Sequence, residues 1–263
     1  MTDKNSPARS GNPDGTADLL LINAGTLHTF ALLADSAPTG GTAARGTPAA
    51  PGSEGPRTGP DMRETGPILR GGLAVKEGRI IAADTTENLL ARFPNPEMVL
   101  DAGGRLVLPG FVDCHTHTVF AGTRTEEFSR RLAGATYMEI LESGGGIHST
   151  VRATRSASED DLVSSGLRRL SLMAAHGTTT VEIKSGYGLD LETERKMLSA
   201  AKRMGETGPC GVVTTYLGAH TIPKEMDREV YVDFIIREAL PALKPLADFC
   251  DVFCEKGAFT PEE

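Results

Sequence analysis

Two histidines two residues apart, His115 and His117, sit in the stretch LVLPGFVDCHTHTVFAGTR that runs from Leu106 to Arg124. Neutral imidazole is a good ligand for zinc and iron, so the first question is whether both rings can reach one ion. The apolar run around Phe111 is short and ends in polar residues, which reads as a buried strand opening into a loop. Side chains alternate along a strand, so Asp113, His115 and His117 project to one face and Val112, Cys114 and Thr116 to the other. Two imidazoles on one face can grip one ion, with Asp113 placed to orient a ring nitrogen. A pair of histidines in a random context is more often structural; the Pro-Gly entry and the hydrophobic strand favour metal chemistry here.

The elements that must position this pair come from the rest of the chain. Its 263 residues allow one large domain or two smaller ones, and 39% hydrophobic residues suffice to bury a sizeable core. A net charge of -8 argues against a nucleic-acid surface, which needs clustered Lys and Arg. No apolar run is long enough to span a bilayer, and the polar N-terminus lacks the apolar core of a signal peptide. Cys114, Cys210, Cys250 and Cys254 are too few for a disulfide framework, and the FCDVFCE pair, Cys250 and Cys254, lacks a second cluster to complete a zinc knuckle. Cys250 and Cys254 read as buried free thiols in a strand, and the reduced cytoplasm is the expected compartment.

In chain order, residues 1–17 read as a disordered leader. DLLLINAGTLHTF reads as two strands around a turn at Asn23 to Gly25, with His28 solvated on the outside. From Ala37 to Arg70, Pro or Gly fills 13 of 34 positions, which marks a flexible surface insertion. Glu77-Gly78 is a hairpin turn between two apolar runs, followed by a helical turn near Asn88 to Arg92 and a strand at MVLDAGG. These form a small β unit over 18–105, ahead of a catalytic domain over 106–263.

Within 106–263 the pattern changes to strands alternating with helices. SRRLAGATYMEILESGGG has helical spacing up to the glycines at Gly144 to Gly146. Ser158 followed by Glu159, Asp160 and Asp161 starts a helix that runs to Ala175. TTTVEIKSGYG is a strand carrying Lys184 and Tyr187, LETERKMLSAAKRMGETG a helix, and CGVVTTYLGAH a strand delivering His220. VYVDFIIREALPALKPLA is helical but interrupted at Pro241, and DFCDVFCE is the last strand. Such alternation indicates βαβ units and a parallel sheet, and residues fit for chemistry at successive strand ends favour a (β/α) barrel of TIM type. About four strands of eight are present, so the expectation is the first half of a barrel, incomplete at the C-terminus and unstable as an isolated monomer.

The phrase PGFVDCHTH closely resembles the first barrel strand of the amidohydrolase superfamily. Taken together with HTHTVFAGTRTEEF, GGGIHSTVRATR, EIKSGYGL followed by LETERKML, LGAHTIP and FCDVFCE, it resembles the imidazolonepropionase family of histidine degradation from about Asp101 onward. That resemblance implies metal-dependent hydrolysis of the ring amide of 4-imidazolone-5-propanoate to N-formimidoyl-L-glutamate, with this small molecule as the partner. It makes His115 and His117 ligands of zinc or iron, one ion per complete site. Arg124 would bind the propionate carboxylate, Tyr187 would contact the substrate, and His220 would hydrogen-bond the ring carbonyl. The remaining ligands and the acid/base group would follow Glu263, which makes the 263-residue chain inactive alone, and the complete enzyme is expected as a homodimer.

Other readings stand beside this one. Arg124 could be a solvated loop charge, Tyr187 a packing aromatic, and His220 a strand-end histidine bonded to backbone. His148 reads as a loop residue and His176 as a helix-end residue, both structural. A second enzyme reading is another amidohydrolase acting on a cyclic amide or amidine, with carboxylated Lys184 bridging two metals, although an ion pair with Glu182 explains that lysine with less chemistry. A third is a truncated, inactive scaffold that keeps the fold.

Overall fold

The computed structural model describes residues 16–30, 63, 65–136, 139–140, 143–255 and 257–263. The bulk of the leader and of the Pro/Gly-rich insertion lies outside the described residues. The chain divides into two compact units, Met1–Pro109 and Gly110–Glu263.

In the first unit, β1 (Leu19–His28) pairs antiparallel with β2 (Pro67–Lys76), which pairs antiparallel with β3 (Arg79–Thr85). The β2–β3 turn is Glu77-Gly78, and both residues have positive φ (51° and 71°), as a two-residue hairpin whose twist matches its strands requires. Helix α1 (Thr86–Arg92) starts where Thr85 accepts a hydrogen bond from the Asn88 backbone and buries Leu89 against the sheet. Strands β4 (Met98–Asp101) and β5 (Leu106–Val107) run parallel to β1.

Four expectations change here. DLLLINAGTLHTF is one strand rather than two, because Asn23 takes a left-handed conformation (φ 56°) in a bulge and both flanks stay paired with β2. Ala17, assigned to the leader by the sequence, is buried in the core of this unit. The insertion ends before Pro67, since Ile68 and Leu69 pair with Leu27 and Thr26. The boundary between the units falls after Pro109 rather than Arg105, because Leu106 and Val107 pair with β1.

In the second unit, β6 (Phe111–Thr116), β7 (Thr178–Lys184), β8 (Gly211–Ala219) and β9 (Phe249–Val252) form one parallel sheet in that order. Helices α2 (Thr125–Leu132), α3 (Ile147–Ser156) and α4 (Glu159–Ala175) lie between β6 and β7, and α5 (Leu191–Thr207) connects β7 to β8. Ser158 and Asp161 form a reciprocal capping box at the start of α4, as their spacing predicts. Val181 and Ile183 of β7 pack on Leu162 and Leu170 of α4 and on Met197 and Met204 of α5, the main core of this unit.

Local readings also need correction in this unit. The helix from Ser129 stops at Leu132, because Gly134 takes φ 96°, rather than running on to Gly144. His148 lies in α3, not in a loop. Pro241 does not interrupt its helix: α6 (Arg228–Phe234) continues through a π turn (Ile235–Ala239) into α7 (Leu240–Leu243). The Leu240 N–H reaches back five residues to the Ile235 carbonyl, which widens the backbone ahead of the proline that has no N–H to give. Among the described residues β6 pairs with a strand on one side alone, and Phe111 and Val112 are both exposed rather than buried. Among the described residues, no helix is long and apolar enough to cross a membrane.

Cys250 and Cys254 differ from expectation too. Cys210 is buried, with its thiol directed at the Thr178 carbonyl, but Cys114, Cys250 and Cys254 are exposed, because β6 and β9 are the two edges of the sheet. Titration of the native chain with a thiol-reactive disulfide should therefore modify three cysteines, and the fourth only after unfolding. Modification of all four at one rate in native buffer would contradict this packing.

Candidate active site

Parallel strands in adjacent positions deliver their C-terminal ends to one side of the sheet, and β6, β7 and β8 end in His117, Tyr187 and His220 or just before them. The His117 ring stacks on the His220 ring at 4.7 Å between centroids with 6° between planes. Tyr187 lies 4.9 Å from His117 and 5.3 Å from His220, and His115 lies 5.8 Å from His117. Four of the five residues singled out in the sequence thus share one cluster.

Strict alternation does not bring the two metal-type histidines together. Between the pairs Asp113–Val181 and Thr116–Ile183 the register of β6 slips, so three residues of β6 face two of β7. After the slip His115 is exposed and His117 largely buried. Thr116 anchors the strand end by donating its hydroxyl to the Glu182 carbonyl at 2.8 Å. Asp113 does not orient a ring: its carboxylate accepts the backbone N–H of His115 at 3.4 Å.

Burial first, then the neighbouring His220 and His115, hold the His117 pKa down to about 4, so the ring is neutral near pH 7. Its Nδ1 is buried without a hydrogen-bond partner. A neutral imidazole with an unsatisfied buried nitrogen suits metal coordination, and His115 supplies a second ring beside it. His115 and His117 therefore fit as two ligands of an ion. Among the described residues, no set of three or more His, Cys, Asp or Glu side chains is gathered to hold a metal by itself.

His220 Nδ1 lies 2.9 Å from the Gly186 carbonyl. A carbonyl can only accept, so Nδ1 carries the proton and the neutral ring keeps Nε2 as a lone pair. Burial pushes the His220 pKa down. The reading of His220 as a donor to a substrate carbonyl thus requires the protonated ring, a condition the sequence does not display.

Arg124 occupies the N-terminal cap position of α2, and its Nε donates to Glu127 Oε2 at 2.8 Å. It lines, with Phe120, Gly122, Thr150, Arg169 and Tyr187, a cleft of about 440 Å³. Burial raises the Tyr187 pKa and the Arg124 charge opposes that rise, so the phenol remains protonated over the ordinary pH range. The fifth residue therefore joins the cluster through Tyr187.

Lys184 is buried and donates to Glu182 at 2.5 Å and to Asp251 at 3.0 Å. Burial works against its charge, but the two carboxylates outweigh it and raise the pKa. The amine is thus held as an ammonium rather than the free base that carboxylation needs. His176 caps α4 with Nδ1 2.7 Å from the Leu172 carbonyl, as its position before Gly177 suggests.

Three residues that support the cluster carry no signal of their own in the sequence reading. Arg169 donates to the carbonyls of Thr118 and Phe120 and stacks over the Phe120 ring at 3.7 Å, which fixes the segment after His117. Glu127 holds Arg124 and also accepts the Gly146 N–H at 2.9 Å. Glu194 binds the loop after β7; the only clue to it is an acidic residue in the first turn of a helix that follows a glycine-rich segment.

Histidine resonances of the metal-stripped chain test this arrangement. His117 should stay neutral on acidification until about pH 4, against an ordinary value of 6.5. The unfolded chain takes up that proton first, so the contribution of His117 to stability is full above pH 6.5 and falls as the pH drops towards 4. Titration of His117 near its ordinary value would refute the buried stack.

No protein-family model matches the chain. It is 46% identical over 253 residues to an imidazolonepropionase of Symbiobacterium thermophilum, covering 94% of this chain and 54% of that protein. It is 48% identical over 216 residues to one of Alkaliphilus metalliredigens, covering 80% and 51%. Among solved structures, E. coli guanine deaminase matches with a TM-score of 0.48 and 17% identity, over 83% of this chain and 43% of that one, too loosely to bear on the site. The chain spans about half the length of the curated relatives it matches. Over the residues shared with them, the chain is similar to the curated imidazolonepropionases.

Proposed function

We propose that this chain contributes the metal-binding pair and substrate-binding residues of an imidazolonepropionase, which hydrolyses the ring amide C–N bond of 4-imidazolone-5-propanoate to N-formimidoyl-L-glutamate. The observation that carries the reading is the convergence of His115, His117, Tyr187 and His220 at the ends of three adjacent parallel strands. The identity to curated imidazolonepropionases supports it. On this reading the four strands of the second unit, with their helices, belong to a (β/α) barrel of TIM type whose lumen would hold the reaction.

His115 and His117 would hold one ion, zinc or iron, which supplies Lewis acidity and an activated water at neutral pH when bound. Arg124 has its Nε committed to Glu127, which leaves its Nη groups to take the propionate carboxylate. Tyr187, protonated and next to Arg124 in the cleft, would donate to the substrate and fix the ring against the two stacked histidines. His220 presents Nε2 to the ring carbonyl. Protonated there, it donates to the oxygen as negative charge builds, while Nδ1 keeps its bond to the Gly186 carbonyl. The paired ammonium of Lys184 supports this one-ion reading over a carboxylated lysine bridging two metals.

Metal titration and substrate binding by the purified chain test the proposal together. Wild type should bind about one zinc or iron, as one ion in a site of this kind implies, and the His115→Ala/His117→Ala double variant should bind none there. The metal-loaded protein should bind 4-imidazolone-5-propanoate saturably, with any product gaining one water. Arg124→Met should weaken that binding by roughly a hundredfold, the loss expected for a charge-assisted pair, but barely change binding of the neutral propionamide analogue. Equal loss for both ligands would remove Arg124 from carboxylate recognition, and absence of saturable binding would remove the substrate assignment.

A further inference from the structure

One buried carboxylate near the cluster takes no part in the chemistry above. Glu194, in the first turn of α5, is 1% exposed. Its Oε1 accepts the N–H groups of Gly188 at 2.7 Å and Leu189 at 2.9 Å, and its Oε2 accepts that of Gly186 at 2.9 Å. The Ser185 hydroxyl adds a further donor. An isolated buried carboxylate is costly; burial pushes the Glu194 pKa up, and successive donors of one loop work against that rise.

That loop is not in a conformation it would adopt unaided. Gly186 has φ 102° and Leu189 has φ 59°, the latter unfavourable for a side chain with a Cβ. A Cβ on Gly186 would fall 2.5 Å from the Leu217 carbonyl oxygen and 2.9 Å from His220 Nδ1, so the loop backbone lies directly against the histidine. Gly186 joins the two sides: its N–H is held by Glu194 and its carbonyl holds His220 Nδ1. Tyr187 is the next residue along.

We propose that Glu194 is a positioning residue of this site: by binding the amides of residues 186, 188 and 189, it sets the Gly186 carbonyl that fixes the His220 tautomer and seats Tyr187 against His117. What the site then does rests on the reading given above, but the placement of these groups is independent of substrate. Glu194→Gln is a sharp probe. A side-chain amide presents an NH2 to one of the two sets of N–H donors, and a donor facing a donor cannot bond.

The experiment is side-chain and amide NMR of the full 263-residue chain, stripped of metal. Wild type should show His220 with Nδ1 protonated and Nε2 bare, and slow exchange at the amides of Gly186, Gly188 and Leu189. In Glu194→Gln the tautomer signature should become mixed and exchange at those three amides should quicken about tenfold or more, the loss expected for bonds to a charged acceptor. Amides within β7 and β8 should keep their protection. If Glu194→Gln does not fold, Ser185→Ala should show a smaller change in the same direction, with Leu217, whose N–H the Ser185 hydroxyl accepts at 3.1 Å, as the one β8 amide that also quickens. An unchanged tautomer in the folded variant overturns the proposal, and so does loss of protection spread evenly over both strands, which marks a merely structural role. Failure of wild type to bind the imidazolone would strike the proposed substrate and leave this assignment standing.

Discussion

Parallel pairing of β6, β7 and β8 is the constraint on which the site depends. A parallel pair cannot be joined by a tight turn, so each connection must cross the sheet, and in this unit the crossings are made by helices. The helices bury the outward face of β7 through Val181 and Ile183, and that core fixes the strand registers. Once the registers are fixed, the C-terminal ends lie side by side. Residues separated by more than a hundred positions, His115 and His220, then belong to one cluster.

The same pairing creates polar groups that have to be satisfied close to the rings. Glu182 and Lys184 share one face of β7, and Thr215 and Asp251 from the neighbouring strands complete their partners. Glu194 is satisfied differently, by backbone donors of a strained loop. His117 Nδ1 differs from both: like the Tyr216 hydroxyl, it is buried without a hydrogen-bond partner. Its place beside the His115 ring is what sets it apart from Tyr216, and is the arrangement that the proposed ion would complete.

What the sequence made legible is local. The hairpin at Glu77-Gly78, the capping box of Ser158 and Asp161, and the alternation of strands and helices all depend on residues within a few positions of one another. The four rings were also legible, because His and Tyr at strand ends declare themselves. The bulge in β6 was not, since an extra residue is visible only against the partner strand. The π turn before Pro241 was hidden for a related reason: sequence shows the missing N–H but not that the preceding turn will widen to absorb it. Exposure of Cys250 and Cys254 depends on β9 being an edge, a property of the sheet and not of FCDVFCE.

Supporting residues escape a sequence reading more completely than reacting ones, and the physical reason is their mode of action. Arg169 acts through two backbone carbonyls and a ring face, Glu127 through a guanidinium and one amide, and Glu194 through three amides. Each uses an ordinary charged side chain on a helix, the commonest setting for a solvated charge. What distinguishes them is that each binds at least one backbone group: Arg169 and Glu194 in the loops after His117 and around Tyr187, and Glu127 at Gly146 while its other oxygen holds Arg124. Backbone groups are the same at every position and leave no trace in composition or spacing, so only the folded chain reveals that these charges are spent holding loops. The accuracy of the cluster rests on that second set of residues, because a loop held at several amides has far fewer ways to misplace the ring it carries.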